Sequence, residues 1–131
     1  MNNSKDPLGH IKLSVSNFSK SRDFYSKLFE KLGFNNISNK ERSAGWATKE
    51  GFGISIAQAE HKDLKHIFMA PGLHHLCFKA ASKKQVDAVY EMIKEKTLVF
   101  DLPQKYPEYT KKYYAVFFSD PDGLKLEVAY Y

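Results

Sequence analysis

Three side chains of this sequence are of types that bind transition metals, and they recur at matching positions of a repeated pattern: His10, His75 and Glu127. Two imidazoles and one carboxylate suit zinc, iron, manganese or nickel. Three protein ligands also leave coordination positions open for water or a substrate, which is typical of a catalytic metal site. By residue type and spacing alone such a set is often coincidental, so its weight depends on the elements that position it.

The first of these elements is a predicted strand at residues 9–15, where apolar and polar side chains alternate. Successive side chains of a strand point to opposite faces of a sheet. The apolar side chains therefore share one face, and His10 lies on the other face.

A helix is predicted directly after this strand. Ser16-Asn17 can cap its first turn, and Gly33 can end it because glycine readily adopts the left-handed conformation. Between them, apolar side chains recur at helical spacing: Phe24, Tyr25, Leu28 and Leu32. We expect this stripe to pack against the apolar face of the strand.

The same order begins again 65 positions later, with an alternating strand at residues 73–79. Aligning the two strands places His75 on His10. Ser82 and Gln85 then have the spacing of a capping box, and an apolar helical stripe follows them: Val86, Val89, Tyr90 and Ile93. A repeat of this length predicts two similar modules.

Further strands are predicted after each helix, and the last strand of the second half carries the third candidate. Aligning the two final strands places Glu127 on Ser55, a shift of 72 positions. The second copy is therefore seven residues longer (72 − 65), and we place the extra length between Thr97 and Lys112. The sequence thus predicts one domain over residues 1–131, made of module 8–57 and module 73–131 joined by linker 58–72.

Two alternatives apply to the candidate set. The polar sheet face could simply meet water, as in many antiparallel sheets, and this accounts for its lysines: Lys12, Lys79 and Lys125. It accounts less well for two histidines and a glutamate at corresponding positions, which would converge if the sheets curl into a cup. His74 is the second alternative, because alternation places it opposite His75 and a one-residue slip would exchange them.

Composition and charge narrow the class of protein. A chain of 131 residues with 43% hydrophobic residues suits one compact domain. The net charge of +5 is spread along the chain, so nucleic acid is not an expected partner, and no apolar run is long enough for a membrane span. Cys77 is the only cysteine, which fits a reducing compartment. Residues 1–7 lack the apolar stretch of a secretory signal, so we expect a cytoplasmic protein.

Both ends of the chain resemble the vicinal-oxygen-chelate superfamily, the group of glyoxalases, bleomycin-resistance proteins and extradiol dioxygenases. The opening has HIKLSV at residues 10–15, RDFY at 22–25 and LGF at 32–34. The close, YYAVFFSDPDGLKLE at residues 113–127, is the most specific segment. The resemblance runs from about residue 8 to residue 130. It implies an α+β fold of two tandem βαβββ modules, whose curved mixed sheets surround a cup, and it implies a homodimer.

The resemblance also implies a ligand set. The superfamily places metal ligands in the first and fourth strands of each module, which here correspond to His10, Ser55, His75 and Glu127. Three of these can bind one divalent metal ion (Zn, Fe, Mn or Ni), whereas Ser55 stands where glyoxalase I has a glutamate. The set is therefore closer to those of the extradiol dioxygenases and the fosfomycin-resistance enzymes. Residues expected to contact substrate are Trp46, Ser55, Tyr113 and Tyr114, and no catalytic base is assigned.

The function implied is that of a metal-dependent glyoxalase- or dioxygenase-like enzyme, a lyase, dioxygenase or transferase. Its small-molecule substrate would present two neighbouring oxygens to the metal, which would stabilise an oxyanion as a Lewis acid. The alternative is a non-enzymatic protein that sequesters a drug or another small molecule, as bleomycin-resistance proteins do.

Overall fold

The computed structural model describes residues 7–131, so the expectation drawn from the N-terminal stretch rests on positions 1–6 outside the described residues. The chain divides into two compact units, one ending at Leu64 and the other spanning Lys65–Tyr131. This boundary lies within the predicted linker. In chain order the elements are β1 (His10–Val15), α1 (Phe18–Leu32), β2 (Asn35–Asn39), β3 (Ser43–Ala47), β4 (Gly53–Gln58), β5 (Leu76–Lys79), α2 (Lys83–Ile93), β6 (Val99–Lys105), β7 (Tyr114–Ser119) and β8 (Lys125–Tyr130).

The first unit contains one four-stranded mixed sheet in the order β1-β4-β3-β2. β1 and β4 are parallel, and the other pairs are antiparallel. The parallel register places His10 beside Gly53 and Lys12 beside Ser55. Burial alternates along β1 and along the first four residues of β4, as the sequence pattern predicted.

α1 begins and ends where its capping residues predict. The side chain of Asn17 accepts a hydrogen bond from the backbone N–H of Lys20 at 3.1 Å, which satisfies one of the unpaired donors of the first turn. Gly33 adopts a left-handed conformation with φ of 83°, and its N–H returns to the carbonyl of Glu30. Both predicted helix ends are confirmed.

The core of the first unit is built around the aromatic rings of α1. Phe29 is fully buried, and its ring centroid lies 5.3 Å from that of Tyr25, 4.9 Å from Phe34 and 5.1 Å from Trp46. Phe29 was not in the predicted stripe, whereas Leu32, which was, is only partly buried. The buried face of the helix therefore lies slightly to one side of the face that spacing predicted.

The second unit repeats this arrangement, with the sheet order β5-β8-β7-β6 and a parallel β5–β8 pair. Ser82 caps α2 by accepting from the N–H of Gln85 at 3.1 Å, and the Gln85 side chain accepts from the N–H of Ala81. On one face of α2, Val86, Val89 and Ile93 are fully buried. The predicted capping pair is confirmed, and so is the helical stripe except at Tyr90, which is only half-buried.

One strand is shorter than predicted. β5 begins at Leu76, whereas the alternating pattern predicted a strand from residue 73. Gly72 has φ of 135°, which L side chains rarely adopt, and the irregular backbone continues through the two histidines that follow. Strand alternation therefore does not govern residues 73–75, and the predicted opposite placement of His74 and His75 is wrong.

The second unit also has a longer connection between its second and third strands. Residues 106–113 join β6 to β7, whereas only residues 40–42 join β2 to β3. This connection and the longer β6 lie between Thr97 and the start of β7, in the region where the extra length was predicted.

The turn from β7 to β8 is held by a buried aspartate. Asp120 is 4% exposed, and its Oδ1 accepts from the N–H groups of Asp122 and Leu124, each at 2.8 Å. Gly123 takes the positive φ of 86° that the turn requires. The turn sets the register in which Lys125 faces Ser119, and so the position of every later residue in β8.

Replacing Asp120 by alanine should lower the free energy of unfolding by about 2–3 kcal/mol, because one buried and one part-buried N–H group lose their acceptor. The Asp120→Asn variant keeps an acceptor oxygen and should lose about 1 kcal/mol or less. Urea unfolding followed by circular dichroism measures both values. An alanine variant no less stable than the asparagine variant would contradict this role.

The two units together confirm the predicted α+β fold, with two four-stranded mixed sheets and one helix for each. Within residues 7–131, no helix is long and apolar enough to cross a membrane.

Candidate functional site

The candidate site of the second unit is centred on Glu127. It lies in β8 between β5 and β7, opposite Cys77 on one side and Phe117 on the other. Only 3% of this residue is exposed. An ionised carboxylate is costly to bury unless it is paired or hydrogen-bonded, so its neighbours decide what it can do.

Two side chains contact this carboxylate. Nε2 of His75 lies 3.1 Å from Oε1, and the hydroxyl of Tyr113 donates to Oε2 at 2.5 Å. The His75 side chain is one-third exposed while that of Glu127 is almost inaccessible, so the imidazole is the part of this pair that meets solvent. Nδ1 of His75 lies 2.8 Å from Nδ1 of His74, which joins both histidines to the site.

Two titratable side chains beside Glu127, Tyr113 and Cys77, have raised pKa values. Burial and the hydrogen bond to Glu127 raise the pKa of the Tyr113 hydroxyl well above its ordinary value, so the tyrosine remains a donor. Removal of the sulfur from water and the charge of Glu127 raise the pKa of the Cys77 thiol to about 12, although part of this residue is exposed. Cys77 is therefore a protonated, weakly reactive thiol near neutral pH.

A cavity of about 540 Å³ opens beside Glu127 and is lined mainly by aromatic rings. The rings of Tyr106 and Tyr109 stack with centroids 5.6 Å apart, and Phe117 meets Tyr106 edge-on at 5.7 Å. Burial and the charge of Asp101 raise the pKa of Tyr106 to about 12. The residues that line the cavity are His74, His75, Asp101, Tyr106, Tyr109, Tyr113, Phe117, Lys125 and Glu127.

Two of the predicted site residues lie in the first unit. His10 begins β1 with its side chain exposed, and a Cβ added to Gly53 would come within 3.3 Å of its Cβ. Ser55 is half-buried in β4, opposite Gly45. The polar-face assignment of both follows from the alternation in their strands, and a role in ligand binding stays a prediction for each.

The predicted substrate contacts divide between two environments. Tyr113 lines the cavity, whereas the neighbouring Tyr114 bonds through its hydroxyl to Asp87 of α2 at 2.6 Å. Trp46 is 3% exposed and packs in the core of the first unit. Substrate contact by Tyr114 and Trp46 remains a prediction that these positions do not favour.

Two of the three predicted metal ligands, His75 and Glu127, lie side by side. His75 and Glu127 offer an imidazole nitrogen and a carboxylate oxygen, the donor types that divalent transition metals accept. Across residues 7–131, no group of three or more histidine, cysteine or acidic side chains is gathered closely enough to hold a metal ion. The donor chemistry of the pair fits, while the third ligand depends on the assignment of His10.

Several cavity residues were not singled out from the sequence. Tyr106 and Tyr109 lie in the long β6–β7 connection, whose extra length in the repeat was the available signal. Lys125 belongs to the polar face of β8 and was assigned to water. Phe117 shares a register pair with Glu127, which requires knowledge of the strand pairing.

Comparison with known proteins agrees with this fold over nearly the full chain. The family model of the Glyoxalase/Bleomycin resistance protein/Dioxygenase superfamily matches residues 8–128. The chain is 33% identical over 122 residues to YqjT of Bacillus subtilis (strain 168), an uncharacterized protein, covering 91% of this chain and 94% of that one.

Two solved structures are similar to this fold. A “putative glyoxalase” from Bacillus halodurans has a TM-score of 0.81 at 24% identity, covering 97% of each chain. A glyoxalase/bleomycin resistance protein from Albidiferax ferrireducens T118 has a TM-score of 0.75 at 20% identity, covering 96% of this chain and 99% of that one. At these identities the likeness concerns the fold alone.

Proposed function

Because this chain belongs to the Glyoxalase/Bleomycin resistance protein/Dioxygenase superfamily, we propose that it is a metal-dependent enzyme that binds a small molecule through two neighbouring oxygens. His75 and Glu127 hold a divalent ion in this proposal, with His10 of the first unit as the third ligand. The ion is zinc, iron, manganese or nickel, and the reaction is that of a lyase, dioxygenase or transferase.

The contact between His75 and Glu127 carries this proposal. A carboxylate that is 3% exposed, with an imidazole nitrogen 3.1 Å away and a cavity beside it, has the charge and the donors that a divalent cation requires. Without a cation, the same carboxylate has Tyr113 and His75 as hydrogen-bonding neighbours, in a site open to ligands.

The surrounding residues have separate tasks. Tyr113 donates to Oε2 of Glu127 and so orients the carboxylate, as outer partners commonly do for metal ligands. The rings of Tyr106, Tyr109 and Phe117 limit the water around the bound molecule. A bound divalent ion supplies Lewis-acid stabilisation of an oxyanion. Ser55, where glyoxalase I has a glutamate, argues against the reaction of that enzyme.

The test is the metal content of the purified protein and of two variants. Wild-type protein is reconstituted separately with Zn²⁺, Mn²⁺, Fe²⁺ and Ni²⁺, dialysed and measured by elemental analysis. We expect about one tightly held ion per chain for at least one metal. Glu127→Gln should lose it, because the amide lacks the ligand charge while still accepting the Tyr113 hydrogen bond.

The matched control is Glu95→Gln, which makes the same change at an exposed position of the second unit. It should retain the wild-type metal content. Wild-type protein without metal above background would refute the metalloenzyme, and so would full metal content in Glu127→Gln.

One observation favours a second candidate, a protein that sequesters a small molecule without turnover. The cavity is mainly aromatic, and within the described part of the chain no three histidine, cysteine or acidic side chains lie close enough together to hold a metal ion. Stacking on tyrosine rings could hold a planar molecule without any metal. A protein that lacks metal but binds aromatic compounds in this cavity would fulfil this alternative.

The assembly and compartment complete the proposal. A homodimer in the cytoplasm, with a small-molecule substrate and without nucleic-acid or membrane partners, is the arrangement that we expect. Analytical ultracentrifugation of the metal-loaded protein tests the dimer directly.

A further inference from the structure

The cavity of the second unit contains a lysine, Lys125, that has no task in the proposed metal site. Lys125 lies two residues before Glu127 in β8, so both side chains project from the same face of the sheet. Its ammonium lies 4.7 Å from the ring centre of Phe117, 5.1 Å from that of Phe68 and 5.7 Å from that of Phe100.

The ammonium of Lys125 has aromatic neighbours and, among the described residues, no carboxylate within ion-pair distance. In the part of the chain that the structure describes, the side chain of Lys125 forms no ion pair or hydrogen bond. The ring faces offset part of the cost of removing a half-buried ammonium from water. They accept none of its three N–H donors as a carboxylate would, so the group retains its capacity for an anion.

The same cavity provides flat apolar surfaces at a suitable distance. Residues two apart on a strand are separated by about 6.6–6.8 Å along its axis, close to the length of a substituted benzene ring. A ring held between Lys125 and Glu127 can lie against the side chains of Tyr106, Tyr109 and Phe117, which line the space beside them. A cavity of about 540 Å³ accommodates one such molecule.

From these contacts we infer that the cavity binds small aromatic carboxylates, with the carboxylate on Lys125 and the ring against the tyrosines. This deepens the proposed function and rests on it for one feature only: a substrate of this class would carry two further neighbouring oxygens on its ring, at the end near Glu127. The cavity also contains the acidic side chains of Asp101 and Glu127 against one ammonium. Because the two acidic side chains repel a doubly charged phosphate more strongly than a monoanion, the cavity favours the monoanion.

The probes are benzoate and benzamide, which have the same ring and nearly the same shape but differ in charge. Their dissociation constants are measured by titration calorimetry for wild-type protein and for variants, with and without bound metal. The decisive quantity is the ratio of the benzamide constant to the benzoate constant, because effects common to both probes cancel. In wild-type protein benzoate should bind more tightly, by about tenfold, as expected for one hydrogen-bonded ion pair.

Two variants of Lys125 and one control variant test its role. Lys125→Met keeps the long apolar stem against the rings but removes the charge, and it should abolish the preference for benzoate. Lys125→Arg keeps the charge and should retain most of the preference. The matched control is Lys79→Met, because Lys79 also has its ammonium over a ring, 4.4 Å from the centre of Tyr131, but does not line the cavity. It should leave the ratio unchanged, and thermal melts verify that each variant is folded.

Some results would overturn the inference. Equal affinities for the two probes in wild-type protein would do so, as would a ratio unchanged in Lys125→Met. An equal decrease in Lys79→Met would show a general charge effect instead of a subsite. Failure of the metal proposal has a different signature: the preference for benzoate persists in protein that binds no metal, and Lys125→Met still removes it.

Discussion

Replacing His75 by alanine is expected to weaken the binding of a divalent metal ion by more than about 100-fold. Loss of an outer partner that merely orients a ligand already costs about 10–100-fold in metal affinity. His75 would be bonded to the ion itself, since its Nε2 lies 3.1 Å from the Glu127 carboxylate at the edge of the cavity. Competition with a coloured chelator of known affinity measures the change.

His74 makes this prediction discriminating, because it also lines the cavity. Its Nδ1 lies 2.8 Å from Nδ1 of His75 and not beside the carboxylate, so His74→Ala should weaken metal binding by only about tenfold. His61→Ala changes an exposed histidine of the first unit and is the control for altered charge and composition. A larger loss in His74→Ala than in His75→Ala would assign the ligand to His74 instead.

The second large effect concerns the core of the first unit. Phe29→Ala should lower the free energy of unfolding by about 3–5 kcal/mol, the usual cost of removing a buried phenylalanine ring. Phe29 is fully buried, and the rings of Tyr25, Phe34 and Trp46 surround it at centroid distances from 4.9 to 5.3 Å. Tyr25 is held in α1 and Trp46 in β3, so these rings can close the resulting cavity only in part.

Two companion variants make this result interpretable. Phe29→Leu retains most of the volume and should cost less than about 1.5 kcal/mol, which keeps a measurable protein if the alanine variant does not fold. Phe100→Ala makes the same change as the first variant at a ring that is 41% exposed, and it should cost about 1 kcal/mol or less. Equal losses in Phe29→Ala and Phe100→Ala would mean that the ring cluster around Phe29 is not a core.

Some features of this protein could be predicted from short stretches of sequence, and others could not. The end of α1 was predictable, because the αL position at Gly33 and the side-chain cap at Asn17 involve residues within one turn of the helix. The polar placement of His10 was predictable for a similar reason, since strand geometry alone puts neighbours on opposite faces. In such cases the deciding interactions are local.

The histidine pair shows where local rules stop. Alternation separated His74 from His75, but β5 begins only at Leu76, and both rings meet at the cavity. The strand starts where the pairing of Leu76 with Leu126 in β8 starts, a partner 50 positions away. No periodicity within residues 73–79 contains that information.

The sequence by itself therefore determined the repeat, the order of strands and helices within it, the helix caps and the polar strand faces of His10 and Glu127. These follow from side-chain periodicity and from hydrogen bonds between near neighbours. Tertiary structure decided that Glu127 is buried against Tyr113, that Tyr106 and Tyr109 line the cavity, and that Lys125 lies among aromatic rings instead of in water. Those outcomes depend on strand pairing and on a long connection folding over one sheet face, contacts between residues that are distant in the chain.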